Sequence, residues 1–149
     1  MLVKELAGGT ISMDIKDVYP TKIENFKIDI DVQNTEACPR YAGVSIKGVT
    51  VKESPDWLKN KLTAIGLHPI NNIVDITNFI LFAYGQPLHS FDADKIKGGK
   101  VVVKTMPEGT PFVTLDGVER KLSERDLMIC NTEDPMCMGG VFGGLDSGI

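Results

Sequence analysis

Between Asn71 and Pro87 runs a segment that is apolar on most faces of a helix yet has stop signals at both ends. Asn71 or Asn72 supplies a capping side chain. Ile73, Ile76, Ile80 and Tyr84 recur at helical spacing, and Gly85 followed by Pro87 ends the element. Val74, Phe79, Leu81 and Phe82 spread apolar surface around the cylinder, and a helix of that kind belongs between layers. Such a helix demands a partner. Ser54-Pro55-Asp56 opens one, with Ser54 as N-cap, Pro55 at the first helical position and Asp56 in the first turn. Leu58, Leu62 and Ile65 form its stripe, Gly66 is its left-handed stop, and Pro69 forbids continuation.

The remaining pattern is strand-like. Phe26, Ile28, Ile30 and Val32 alternate with Lys27, Asp29 and Asp31 at the period of a half-buried strand. Thr10 to Val18 alternates less regularly and is expected to pair antiparallel with it across Tyr19-Pro20. Tyr41 to Val51 reads as a β-rich run interrupted by Gly43 and Gly48. Lys100 to Thr105 reads as a strand, Phe112 to Leu122 as a hairpin around Asp116-Gly117, and Leu127 to Cys130 and Met136 to Phe142 as two more strands. The expected class is α+β, a mostly antiparallel sheet packed against a buried helical pair.

Composition narrows the function classes. A chain of 149 residues, 42% of them hydrophobic, can bury about 68–70% of its unfolded surface and needs neither disulfide nor metal to hold a core. Its net charge of −4 excludes a broad basic footprint, so any nucleic acid must be gripped locally. Cys38, Cys130 and Cys137 fit no zinc spacing, and only His68 and His89 could join them, so no metal site is expected. Phe79 to Tyr84 and Met136 to Leu145 fall far short of the ~20 apolar residues of a membrane span. Met1 to Ile15 lacks a signal-peptide core, and the expected location is the cytoplasm.

Three places remain unexplained by periodicity. His89, in Gly85-Gln86-Pro87-Leu88-His89-Ser90-Phe91-Asp92, follows a helix stop in a loop, where functional groups concentrate, and its ring can donate, accept or relay a proton. The same ring can instead cap the last helix carbonyls or bond Asp92. Thr77 and Asn78 interrupt an apolar helix, where an unpaired buried polar group costs roughly 1–3 kcal/mol, so each needs a partner, a cavity or water. Thr77 can also bond back to a carbonyl one turn earlier, with Asn78 at the helix surface. Gly139-Gly140-Val141-Phe142-Gly143-Gly144 precedes no helix and is not a phosphate loop. Glycine pairs in a strand mark a bend or a place where a ligand or another backbone comes close. His89, Ser90 and Asp92 stand too near one another in sequence for a hydrolytic triad.

Four motifs follow one another in order: Ala37-Cys38-Pro39-Arg40-Tyr41-Ala42-Gly43, Ile70-Asn71-Asn72-Ile73-Val74-Asp75-Ile76-Thr77-Asn78-Phe79, the stretch Gly85 to Asp92, and Gly140-Val141-Phe142-Gly143-Gly144. With a Leu-Asp-Gly hairpin between the last two, this series resembles the editing region of the β chain of bacterial phenylalanyl-tRNA synthetases. The resemblance covers residues 36–149. Residues 1–35 match loosely and resemble the segment, a strand pair, that precedes the editing region.

The resemblance implies a parent enzyme of α2β2 form that charges tRNA(Phe) using ATP and Mg2+, with its synthetic site on the α chain and no cofactor in this region. It further implies hydrolysis of tyrosine wrongly joined to tRNA(Phe). A pocket shaped for phenylalanine rejects an analogue that merely adds a hydroxyl by only ~100-fold, so a second, polar site must select for that hydroxyl. His89 matches the family's editing histidine, the expected catalytic group. Thr77, Asn78 and Gly143 match positions lining the substrate pocket, and His68 stands where many relatives have arginine. The family's pocket glutamate lies downstream of the double glycine. The chain therefore reads as a partial editing domain, inactive alone, whose uncovered sheet edge is expected either to pair with a second copy or to leave the residues from Gly143 onward disordered. Two other readings stay open: a module that binds the acceptor end without turnover, and a free-standing deacylase.

Overall fold

A computed structural model describes residues 28–146 and 148–149. Thr10 to Val18, the expected partner of the first strand, lies outside them, as do Phe26 and Lys27. The elements run β1 (Asp29–Val32), α1 (Asp56–Ala64), α2 (Asn72–Tyr84), two 3-10 turns, β2 (Lys100–Thr105), β3 (Pro111–Val113), β4 (Glu119–Lys121), β5 (Leu127–Cys130), β6 (Pro135–Met138) and β7 (Phe142–Gly143). Five strands form one sheet in the order β1-β2-β5-β6-β7, and β3 pairs with β4 in a hairpin. β1 runs parallel to β2, and every other pairing is antiparallel. The α+β class and the mostly antiparallel sheet hold.

Both sheet faces are covered, which explains why β2 and β5 read as unbroken apolar runs. Val101, Ile129 and Cys137 join Ile96 and Met136 in one cluster, over which Ile28, Tyr41 and Phe91 pack. Val102, Met128 and Cys130 point the other way, onto Phe112 and Leu122 from the hairpin. A bridge from Thr114 to Gly144 and a bond from Leu115 N–H to the Gly143 carbonyl clip that hairpin to β7.

The helical pair differs from the expectation of a buried, central helix. Leu58 and Leu62 of α1 are buried, and Trp57 meets Phe79 of α2 edge to face at 5.7 Å. Yet Ile76 is 46% exposed, Phe82 60% and Tyr84 60%, and the fully buried residue of α2 is Asp75. Periodicity reports that a face is apolar, and it does not report what covers that face. Asn71 caps α2 by accepting from the N–H groups of Ile73 and Val74, and Gly85 ends the helix at φ 72°, both as expected. Ser54 does not cap α1, which has no side-chain cap; its buried hydroxyl donates to Asp75 at 2.5 Å instead. Ile65, expected in the α1 stripe, is exposed.

Two strand readings are corrected. Tyr41 to Val51 forms no strand; its tail is held by Asn72, whose side chain accepts from Lys52 N–H and donates to the Thr50 carbonyl. Met136 to Phe142 is two strands joined by a turn. Gly140 takes φ 73° and Val141 N–H reaches the Met138 carbonyl at 3.0 Å, so the first glycine pair reverses the chain. Among the described residues no helix is long and apolar enough to cross a membrane.

Candidate functional site

Past the left-handed stop at Gly85, Pro87 forbids further helix, and the chain runs irregularly until Asp92 accepts from Asp94 N–H and caps the 3-10 turn Ala93–Lys95. That run brings His89 to β6 and the turn that follows it. Its Nδ1 lies 3.2 Å from Sγ of Cys137 on β6, and Gly140 N–H donates to its Nε2 at 3.0 Å. The ring stacks on Phe91, with centroids 6.4 Å apart and planes inclined by 27°. Half-buried in this setting, His89 titrates below the ordinary histidine value of 6.5 because burial disfavours the imidazolium.

The neighbours reinforce the apolar character of the seat. Burial pushes the Cys137 thiol up to about 12, so it is uncharged at neutral pH. Tyr41, packed on the same cluster, is raised to about 12, chiefly by burial and then by the nearness of Cys137 and Cys38. The fold thus sets a neutral imidazole at the edge of an uncharged patch, touching the turn made by the first glycine pair. His89 neither caps α2 nor bonds Asp92.

The other expected site residues lie elsewhere. Thr77 donates its hydroxyl to the Val74 carbonyl at 2.8 Å, the bond back along its own helix. Asn78 is half-buried and has no side-chain partner among the described residues, while His68 is exposed in the α1–α2 connection. No hydrogen bond or ring contact joins these three to His89 among the described residues. Gly143 is close: a Cβ there would meet Cδ1 of Leu115 at 2.8 Å, so its missing side chain makes room for the hairpin. Gly144 is more tightly constrained, since a Cβ would fall 2.7 Å from the Met136 carbonyl oxygen.

Two residues escaped the sequence reading. Cys137 looks like an ordinary small core residue, and its contact with His89 spans 48 positions. Asp75 stands in an apolar helix, 0% exposed, and gathers Ser54 and Ile70 by accepting from the Ser54 hydroxyl and the Ile70 N–H at 2.9 Å. A carboxylate amid Ile and Val residues was the available signal. Away from all of these, an open groove of about 360 Å³ is lined by Gln33, Asn34, Thr35, Glu36, Lys104 and Thr105 at the ends of β1 and β2. Among the described residues no group of three His, Cys, Asp or Glu side chains could hold a metal ion.

Comparison with known proteins agrees with the motif order. Residues 37–149 match the B3/4 domain family. The phenylalanine–tRNA ligase beta subunit of Bacteroides fragilis is 72% identical over 132 residues, which is 89% of this chain and 16% of that protein. The subunit of the same name from Porphyromonas gingivalis is 62% identical over 131 residues, 87% of this chain and 16% of its own length. That of Desulfotalea psychrophila is 44% identical over 143 residues, 95% of this chain and 17% of its own. The chain therefore spans about a sixth of the length of the curated relatives it matches.

Proposed function

Because this chain belongs to the B3/4 domain family, we propose that it is the part of a phenylalanine–tRNA ligase β subunit that receives the acceptor end of tRNA(Phe) and, in the complete enzyme with its α chain, hydrolyses a wrongly attached tyrosyl ester. The observation that supports this reading is the seating of His89 on Gly140, which joins the two motifs most distant from ordinary core patterning. Ester hydrolysis needs a water directed at the carbonyl and a group to take its proton. A ring held below the ordinary histidine range is neutral at pH 7, and its lone pair on Nε2, which accepts from Gly140 N–H in this structure, takes the water's proton once that bond opens. ATP and Mg2+ would serve the charging reaction of the parent enzyme on its α chain, and ester hydrolysis in this region would consume water.

On this reading Thr77, Asn78 and Gly143 border the substrate. Asn78, without a partner of its own among the described residues, is the side chain best free to meet a tyrosyl hydroxyl or a ribose. The test is hydrolysis of Tyr-tRNA(Phe) and Phe-tRNA(Phe) by the complete enzyme. A site built to bond the phenolic hydroxyl should spare the phenylalanyl ester by about 10⁴–10⁵-fold, because its polar groups would be left unpaired. Equal rates for the two esters, or none for either, would overturn the reading.

The occupation of the Nε2 lone pair by Gly140 N–H favours a second reading, in which the region positions the acceptor end without turnover. It predicts tRNA binding with no hydrolysis. With a net charge of −4, one to three phosphate contacts are expected, each contributing about −0.7 to the slope of log K against log salt for a single strand.

A further inference from the structure

We infer that Leu115 is a specificity-determining residue of the proposed site, the apolar wall against which the aromatic ring of the aminoacyl group lies beside His89; the inference rests on the editing reading. It follows from strand register. The bridge between Thr114 and Gly144 is antiparallel, framed by bonds from Leu115 N–H to the Gly143 carbonyl at 3.0 Å and from Leu145 N–H to the Val113 carbonyl at 3.1 Å. Residues 113–115 therefore run briefly as an extra strand along the outer edge of β7, with Leu115 opposite Gly143. Gly143 is in turn the partner of Cys137, and Cys137 that of Ile129. Directly opposed residues project to one face of a sheet, so Ile129, Cys137, Gly143 and Leu115 form a single row. His89 touches that row at Cys137, whose Sγ is 3.2 Å from Nδ1 and 3.7 Å from Nε2.

Leu115 leans inward along the row. A Cβ on Gly143 would meet its Cδ1 at 2.8 Å, so the leucine occupies the space that any larger residue at 143 would take, one strand from the cysteine that His89 touches. Single exposed leucines are ordinary on protein surfaces, but this one is held in place. Its N–H is bonded to Gly143, and both its sequence neighbours are pinned by Arg120, whose Nε donates to Thr114 Oγ1 at 3.1 Å and whose Nη2 donates to Asp116 Oδ2 at 2.8 Å. The guanidinium also lies over the Phe142 ring, 5.5 Å from its centroid. Leu115 itself remains 57% exposed. A fixed backbone that leaves a branched apolar side chain in water near an imidazole offers a preorganised surface for a flat apolar group. With glycine as floor and leucine as wall, the ring of a tyrosyl group lies along the row and its ester points towards His89.

Single-turnover hydrolysis of Tyr-tRNA(Phe) by the complete enzyme carrying Leu115→Ala, Leu115→Asn or Leu115→Met tests the wall. The first two should raise the enzyme concentration for half-maximal rate by on the order of 10-fold, the loss expected when about half of a leucine's apolar surface no longer meets the ring. The saturated rate should stay within about threefold. Leu115→Met, apolar and of similar volume, should recover most of the loss. Each variant should melt within about 3 °C of wild type, because the residue is already more than half in solvent. Unchanged half-saturation in both Leu115→Ala and Leu115→Asn, or a loss confined to the saturated rate, overturns the inference. Two uncleavable probes, the 3′-amides of adenosine with tyrosine and with alanine, separate the wall from the editing reading. Leu115→Ala should weaken binding of the tyrosyl amide by a similar factor and leave that of the alanyl amide unaltered; equal weakening of both, or of neither, overturns the inference. A wild-type enzyme that hydrolyses no Tyr-tRNA(Phe) while its binding of the tyrosyl amide depends on Leu115 sinks the editing reading and leaves the wall supported.

Discussion

The helical pair and the sheet are both rich in apolar residues, and they are held by opposite means. In the sheet, Val101, Val102 and Val103 are buried in succession because each face has its own cover, and the stabilisation is mostly surface removed from water. In the helical pair, Leu58 and Leu62 form a small apolar contact, while a buried carboxylate, Asp75, ties the segment before α1 and the α1–α2 connection to α2. Asn72 adds two side-chain bonds to the irregular segment before α1, at Thr50 and Lys52. A polar latch rigidifies with direction, and it fails abruptly when one partner is removed. Apolar burial fails in proportion to the volume lost.

The largest effect should come from the sheet. Phe112→Ala empties the centre of the cluster under the hairpin and should destabilise by about 3–5 kcal/mol, read as a lower denaturation midpoint with protection lost from β2 and β5 amides in hydrogen exchange. Asp75→Ala should follow at about 2–4 kcal/mol, from two orphaned donors at roughly 1–3 kcal/mol each with some relief by water. Its exchange signature should be confined to α1 and α2, with Val101–Val103 still protected. Loss of protection across both regions would erase the distinction.

A smaller effect is pH dependence. His89 titrates below 6.5 when folded and near that value when unfolded. Between the two values the unfolded chain binds more protons, so stability rises with pH through this window and is lost on acidification below 6.5. Wild-type melting temperature should therefore fall more steeply from pH 7.5 to pH 5.5 than that of His89→Ala. The smallest effect belongs to the exposed face of α2: Phe82→Ser should change the stability of this chain by no more than about 0.5 kcal/mol. A loss above 2 kcal/mol would mean that this face is covered in solution.

Legibility followed the same divide. Local signals sufficed where the cause is local: the bounds of β2 and β5, the Asn71 cap and the left-handed stops at Gly66 and Gly85 are all where side-chain chemistry within a few residues places them. Signals failed where the cause is distant. Ser54 has every property of an N-cap, but a carboxylate 21 positions away competes for its hydroxyl. The first glycine pair reads as strand because Val141 and Phe142 continue the alternation, whereas the positive φ at Gly140 turns the chain. At the candidate site, His89 stood out by its setting after a helix stop. Its partners Cys137 and Gly140 lie some fifty positions on, and no spacing rule could have joined them.

The central claim is that the sheet-held His89 handles the proton in tyrosyl-ester hydrolysis while the helix-borne Thr77 and Asn78 only help to bind. Single-turnover hydrolysis of Tyr-tRNA(Phe) by the complete enzyme carrying His89→Ala, beside the same enzyme carrying Asn78→Ala, tests it most directly. The account predicts that His89→Ala lowers the rate at saturating enzyme by about 10²–10⁴-fold, with phenylalanine charging nearly unchanged, and that Asn78→Ala weakens binding while the saturated rate stays within about threefold. A full saturated rate in His89→Ala would contradict it, leaving His89 as a residue that only fastens the loop to the sheet.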